Sequence, residues 1–269
     1  MSLDLWEYVR PDHVYYMQER RKALSEGVSM LPSTLRVFRY ENRSEDVWYN
    51  DVTGPDLLIG GKDMLNLNLR LLSSHLQELK LTGVILDRES LCPLDEDGKP
   101  ALPLIEWPHL KVLVYHEMPN FLPSGKWLSD PTDQELEDNE VPDWDNTSQQ
   151  DWETFRILDE TKYHRSVLNT GLAHRCFTSL ALAAQRMPQL ESVRFFFMVF
   201  PTLTLALFTE EATGKRWIDW RASRPFLEYK PDQRVADAWG FNLDDLQDLG
   251  RNGGYLFRVA VEQWPPLSR

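Results

Sequence analysis

Four segments of the chain repeat one spacing of apolar residues, apolar-x-x-apolar-x-apolar, and no other feature constrains the fold as strongly. They are LRVFRY (Leu35, Phe38, Tyr40), LQELKL (Leu76, Leu79, Leu81), LKVLVY (Leu110, Leu113, Tyr115) and LESVRF (Leu190, Val193, Phe195). Each matches the strand portion of a leucine-rich repeat, in which one strand face is buried and each unit stacks on its neighbour. A proline closely precedes three copies, in LPSTL, WPHL and MPQL, and an apolar helix-like run, MLNLNLRLLSSHL, precedes the other. Stacked units leave their loops free to vary, so starts 41, 34 and 80 residues apart are compatible with one architecture. The expected fold is α/β, an irregular leucine-rich-repeat-like solenoid with a curved sheet and helices on its convex side, forming a single domain over residues 1–269.

The remaining segments fit around this stack. SVLNTGLAHRCFTSLALAAQRMP has apolar residues at helical spacing and ends at Pro188, which predicts a helix over 167–187. The first 30 residues read as one amphipathic helix leading into the first repeat. Beyond Phe200, alternation on both sides of EEATGK predicts a β-hairpin with a glycine-containing turn. PDQRVADAWGFNLDDLQDLG then reads as one or two helices and GGYLFRVAVEQW as a closing strand, so 201–269 is expected to cap the repeats.

Composition narrows the function classes. With 42% hydrophobic and 12% aromatic residues the chain can bury a core, while apolar runs such as RFFFMVF fall far short of the roughly 20 residues of a membrane helix. The start MSLDLWEYVRPD has no basic and apolar leader pattern, so a cytoplasmic location without membrane contact is expected. Cys92 and Cys176 lie far apart without metal-ligand spacing and read as buried free thiols. The net charge of −13 is concentrated over 129–153, which holds ten acidic residues and no basic one. That stretch reads as a flexible, solvated insertion, and no nucleic-acid partner is expected. Hydrolase, kinase and dinucleotide-binding motifs are lacking, so neither a cofactor nor a metal is expected. DDLQD (Asp244 to Asp248) matches a magnesium-diphosphate motif of terpene synthases, but that chemistry needs an all-helical bundle and a second magnesium triad, and only 21 residues follow. Solvated helix acids are the better reading.

LKLTGVILDRESLCP, WPHLKVLVYHEMPNFLPSGKW with the acidic insertion behind it, ALAAQRMPQLESV and PDQRVADAWGF together resemble the C-terminal half of filamentous-fungal F-box proteins with irregular leucine-rich-like repeats. The resemblance covers roughly residues 30 to 265. It implies a repeat domain that recognises a target while an N-terminal F-box docks onto a ubiquitin-ligase adaptor. The first 30 residues carry no leucine-proline-rich F-box opening, so the expectation is the recognition half without its tether.

Residues between the inward leucines of such strands face the open side of the sheet. Aligning the four copies places Arg39, Lys80, Val114 and Arg194 in one row, and Glu41, Thr82, His116 and Phe196 in the next. Three basic residues of four suit a carboxylate, phosphate or enolate; pairing with the acidic insertion is the alternative. Arg39, Lys80 and Arg194 are candidates for orienting such a ligand, His116 for proton transfer or hydrogen bonding, and Phe196 for ligand contact. Trp217 and Trp220 are candidate pocket walls, with Trp107, Trp127 and Trp239 in reserve. His164, Tyr163 and His174 are further candidate acid-base groups. Two functions follow as expectations. One is a cofactor-independent enzyme of secondary metabolism, of cyclase or pericyclase type such as a Diels-Alder-like cycloaddition, acting on a small, partly aromatic molecule. The other is a non-catalytic module that recognises a protein partner on its concave face.

Overall fold

Each repeated segment is a strand in the computed structural model, which describes residues 1–9, 14–44, 56–103, 105–119, 121–126, 128–130, 167–198, 203–222, 229–250 and 255–266. In chain order the elements are β1 (Ser2–Val9), α1 (Val14–Ser29), β2 (Val37–Ser44), α2 (Met64–Ser73), β3 (Glu78–Thr82), β4 (Val112–Pro119), β5 (Ser129–Asp130) and β6 (Val167–Leu168). They continue with α3 (Thr170–Ala184), β7 (Ser192–Met198), β8 (Leu203–Thr209), β9 (Arg216–Ala222), α4 (Gln233–Trp239), a 3-10 turn (Leu243–Asp245), β10 (Gln247–Asp248) and β11 (Tyr255–Val261). Nine strands form one open sheet in the order β1-β2-β3-β4-β7-β8-β9-β11-β10, and β5 with β6 forms a separate two-stranded sheet. Pairing is parallel from β1 to β7 and antiparallel beyond it. The protein is therefore a mixed α/β structure.

The repeated spacing works through its backbone as well as its side chains. Leu35, Leu76 and Leu190 each donate their amide to a carbonyl three residues earlier, closing a turn before the strand. The residue after each first leucine then links neighbouring units: Gln77 N donates to Arg36 O at 2.7 Å, Lys111 N to Gln77 O at 2.8 Å, and Glu191 N to Lys111 O at 2.8 Å. Inward residues alternate with outward ones, so Phe38, Tyr40, Leu79, Leu81, Leu113 and Tyr115 enter a single apolar core. The antiparallel strands extend it with Leu205, Leu207, Ile218, Trp220, Phe257 and Val259. All four α-helices contribute to this same core, through Val28, Leu69, Phe177 and Trp239 among others. Among the described residues they lie on one face of the sheet.

Local chemistry sets the helix ends. The side chains of Asp63, Asn169 and Asp232 accept from the amides of Asn66, Leu172 and Val235, supplying acceptors to orphan donors at the starts of α2, α3 and α4. The hairpin expected around EEATGK is β8–β9, closing between Thr209 and Arg216. The N-terminal expectation is corrected: Ser2–Val9 is an edge strand parallel to β2, and the helix begins only at Val14. Alternation in SLDLWEYV suits a strand, and β2 offers it a pairing edge. No helix among the described residues is long and apolar enough to cross a membrane. Cys92 and Cys176 are buried and not joined in a disulfide, and burial pushes both thiols up, Cys92 to about 11, which disfavours the thiolate form.

Candidate functional site

Strand register determines which side chains share the helix-free face. Arg39 pairs with Lys80, Lys80 with Val114, and Val114 with Arg194, so the aligned row of the repeats is a physical row across β2, β3, β4 and β7. It continues through Ala206, Asp219 and Arg258 on one side and reaches Asp4 on the other. The second row contains Glu41, Thr82 and His116, then Phe196, Thr204 and Arg221. Between β4 and β7 the register jumps from Tyr115–Phe195 to Met118–Phe197, a bulge that sets His116 and Glu117 opposite Phe196. The rings of His116 and Phe196 stack there, centroids 5.0 Å apart and planes 22° from parallel. Glu117 has φ of 51°, a left-handed conformation unusual outside glycine, and its carboxylate lies 3.5 Å from His116 Nδ1.

The cations at both ends of the first row are paired with carboxylates. Arg39 Nε donates to Glu78 Oε1 at 2.5 Å and Nη2 to Oε2 at 2.9 Å, with Asp4 at 3.5 Å. The bond from Arg39 holds the Glu78 carboxyl below its ordinary range, with Lys80 adding to the effect, and Glu78 in turn raises Arg39. At the far end Asp219 is completely buried, accepting from Arg258 at 2.7 and 2.9 Å and from Arg221 at 2.9 Å. The Arg258 guanidinium also lies over the rings of Phe208 and Trp217, at 5.5 and 5.6 Å. Lys80 and Arg194 occupy the middle, on either side of Val114, and neither has a hydrogen-bond or ion-pair partner among the described residues. Two strands apart is about 9.6 Å, a span that two long cationic side chains can close on one anion.

Asp219 makes the far end sensitive to pH. Burial alone would raise its carboxyl, but the hydrogen bonds from Arg258 and Arg221 outweigh burial and hold it below the usual value. Its folded pKa thus lies below the unfolded value of about 3.9. Its stabilisation is present above about pH 4 and is lost as pH falls through the folded pKa. Asp219→Ala is expected to cost about 2 kcal/mol at pH 7, less than a fully buried pair because both arginines are partly exposed. Urea unfolding at stepped pH should show that difference shrinking below pH 4.

The other candidates lie elsewhere. Trp220 is on the opposite sheet face in the core, so it is not a wall of this site, and Trp107 and Trp239 are likewise buried. Indoles follow apolar surface, and the core offers more of it than the loop edges; Trp107 also donates to Ser73 Oγ at 2.7 Å. Trp217 is half-buried on the open face, beside Arg258 rather than Arg194. His174 sits on α3, 3.2 Å from Asp232 and 3.0 Å from the Lys230 carbonyl, tying α3 to the start of α4 away from the row. Trp127, Tyr163, His164 and the acidic stretch beyond Asp130 lie outside the described residues. Asp244, Asp245 and Asp248 are exposed, on the 3-10 turn and the short β10, and no group of three or more His, Cys, Asp or Glu among the described residues is placed to hold a metal ion. Asp219, Arg221 and Arg258 were not singled out from sequence. Alternation in LTLALFT and RWIDWRA carried the signal, because Asp219 falls between the inward Ile218 and Trp220.

The architecture defines a mixed α/β class, a large open sheet with helices on one face and a charged row on the other. Comparison with protein-family models, curated proteins and solved structures finds no match for this chain.

Proposed function

We propose that the chain is a leucine-rich-repeat-like recognition domain, similar to the target-binding half of fungal F-box proteins, whose open sheet face binds a small, partly aromatic anion. The observation that carries this reading is Arg194, an exposed guanidinium in mid-sheet without an ion-pair partner among the described residues, while the cations at both ends of its row are paired with carboxylates. Arg194 and Lys80 hold a carboxylate, phosphate or enolate from two sides, Val114 forms an apolar floor, and Phe196 with His116 receives an aromatic portion. The same groups suit a cofactor-independent cyclase or pericyclase. Such a reaction needs a substrate held in a reactive fold and donors placed where negative charge grows, and His116 and Arg194 serve as those donors.

The reading is tested by incubating the protein with metabolite extract from its source and identifying by mass spectrometry what is retained or converted. Arg194→Ala is expected to weaken retention at least tenfold, consistent with the loss of a charge-assisted bond, while changing unfolding free energy by less than about 0.5 kcal/mol because the side chain is exposed. Unchanged retention by Arg194→Ala would overturn the site. Recognition of a protein partner is the second reading, favoured by a row that extends across neighbouring strands of the sheet. An acidic polypeptide recovered in place of any small molecule, and lost on Arg194→Ala, would establish it.

A further inference from the structure

On the helix side of the sheet, α1, α2 and the loop before α2 line a cavity of about 470 Å³ that is open to solvent on one side, within the range typical of small-molecule sites. The apolar interior divides at this place. Leu65 on the cavity wall belongs to the main core, whereas Leu57 on the facing wall belongs to a small separate cluster with Met17, Ile85 and Phe121. Leu57 and Leu65 are themselves 3% and 2% exposed and form the apolar base, so the area a guest would newly bury is supplied by their exposed neighbours. Ile59 and Met64 also line the cavity and remain 47% and 48% exposed, an arrangement that a bound aliphatic chain would cover.

The charges around the cavity select the head group. Arg21 and Asp63 neutralise one another, Nη2 donating to both carboxylate oxygens at 2.7 and 2.8 Å and Nε to Oδ1 at 3.2 Å. Lys22, Lys62 and Glu26 remain, none with a side-chain ion pair among the described residues, leaving an excess of one positive charge. We propose that this cavity binds an aliphatic monocarboxylate, its chain laid along Ile59 and Met64 above Leu57 and Leu65 and its head group met by Lys22 and Lys62. The site lies on the opposite side of the sheet from Arg194 and is independent of the open-face reading.

Calorimetric titration with hexanoate, octanoate, decanoate and dodecanoate tests it. Affinity is expected to rise about fourfold per added methylene. Alkylammonium ions of equal length are expected to bind at least tenfold more weakly. Lys62→Ala and Lys22→Ala should each weaken dodecanoate about threefold to fivefold, and Arg194→Ala should leave it unchanged. Ser29→Phe, a substitution at an exposed position lining the cavity, should abolish binding while thermal unfolding stays that of the parent chain. If that variant fails to fold, the lysine variants decide. Equal binding of ammonium and carboxylate, no dependence on chain length, or lysine variants that bind as the parent does would each overturn the proposal.

Discussion

Asp63→Ala is expected to lower the unfolding free energy by about 4 kcal/mol, the largest loss from any single change considered for this protein. Asp63 has two roles. As the cap of α2 it accepts from the Asn66 amide at 3.3 Å and from Asn66 Nδ2 at 2.6 Å, and loss of such a cap costs about 1 kcal/mol. It also balances Arg21, whose side chain is only 9% exposed and whose Nε and Nη2 both donate to it. Removing one member of a buried pair leaves the other charge poorly solvated and without a counter-charge, at roughly 3 kcal/mol. Arg21 would keep only the Ile85 carbonyl, 2.7 Å from Nη1. Asp63→Asn should lose about half as much, because it keeps a capping oxygen and loses the charge. Arg21→Met in the Asp63→Ala background should recover part of the loss, since no unpaired charge remains. Chemical denaturation of the four proteins decides the matter. A loss below about 1 kcal/mol for Asp63→Ala would show that Arg21 reaches water in solution and that α1 is not fastened to α2 through this pair.

The contrast between the pair Arg21–Asp63 and the row Arg39–Lys80–Arg194 shows which features a sequence exposes. The row was legible because the repeat imposes one period on four strands, so counting from each first leucine predicts lateral neighbours, and the register agrees at Arg39, Lys80, Val114 and Arg194. The hairpin and α3 were legible for a similar reason, periodicities of two and of 3.6. Arg21 and Asp63 are 42 residues apart and obey no period; their meeting follows from how α1 packs on α2. β1 was misread because its strand alternation lies next to a helical segment, and only the open edge of β2 decides between them. The ends of the charged row were hidden as well. Glu78 neutralises Arg39 from a diagonal position on the neighbouring strand, and Asp219 enters from the antiparallel half, where the repeat spacing no longer applies. The tryptophans misled because residue type signals large apolar surface without saying which face of the sheet covers it.

Gly83→Ala is expected to cost about 3 kcal/mol and to disturb the second row at His116. Gly83 ends β3 with φ of +66°, a conformation that costs a residue with a Cβ about 1 to 2 kcal/mol. A Cβ there would also overlap the backbone carbonyl of Asn42, so the end of β2 must shift. That end is not free to shift without loss. Asn42 Nδ2 donates to the Gly83 carbonyl at 2.9 Å, Asn42 Oδ1 accepts from Arg20 at 3.2 Å, and the Gly83 amide donates to the His116 carbonyl at 2.9 Å. The glycine thus fastens β2 to β4 across β3, beside the bulge that presents His116 to Phe196. Gly98 supplies the control, with φ of +78° and open space around its would-be Cβ. Gly98→Ala should cost only the conformational part, about 1 kcal/mol. The difference between the two variants isolates the overlap with Asn42, and any change in ligand affinity confined to Gly83→Ala would tie that overlap to the placement of His116. Equal losses for the two variants would mean that β2 yields at Asn42 without consequence and that the bulge is held by the pairing of β4 with β7 alone.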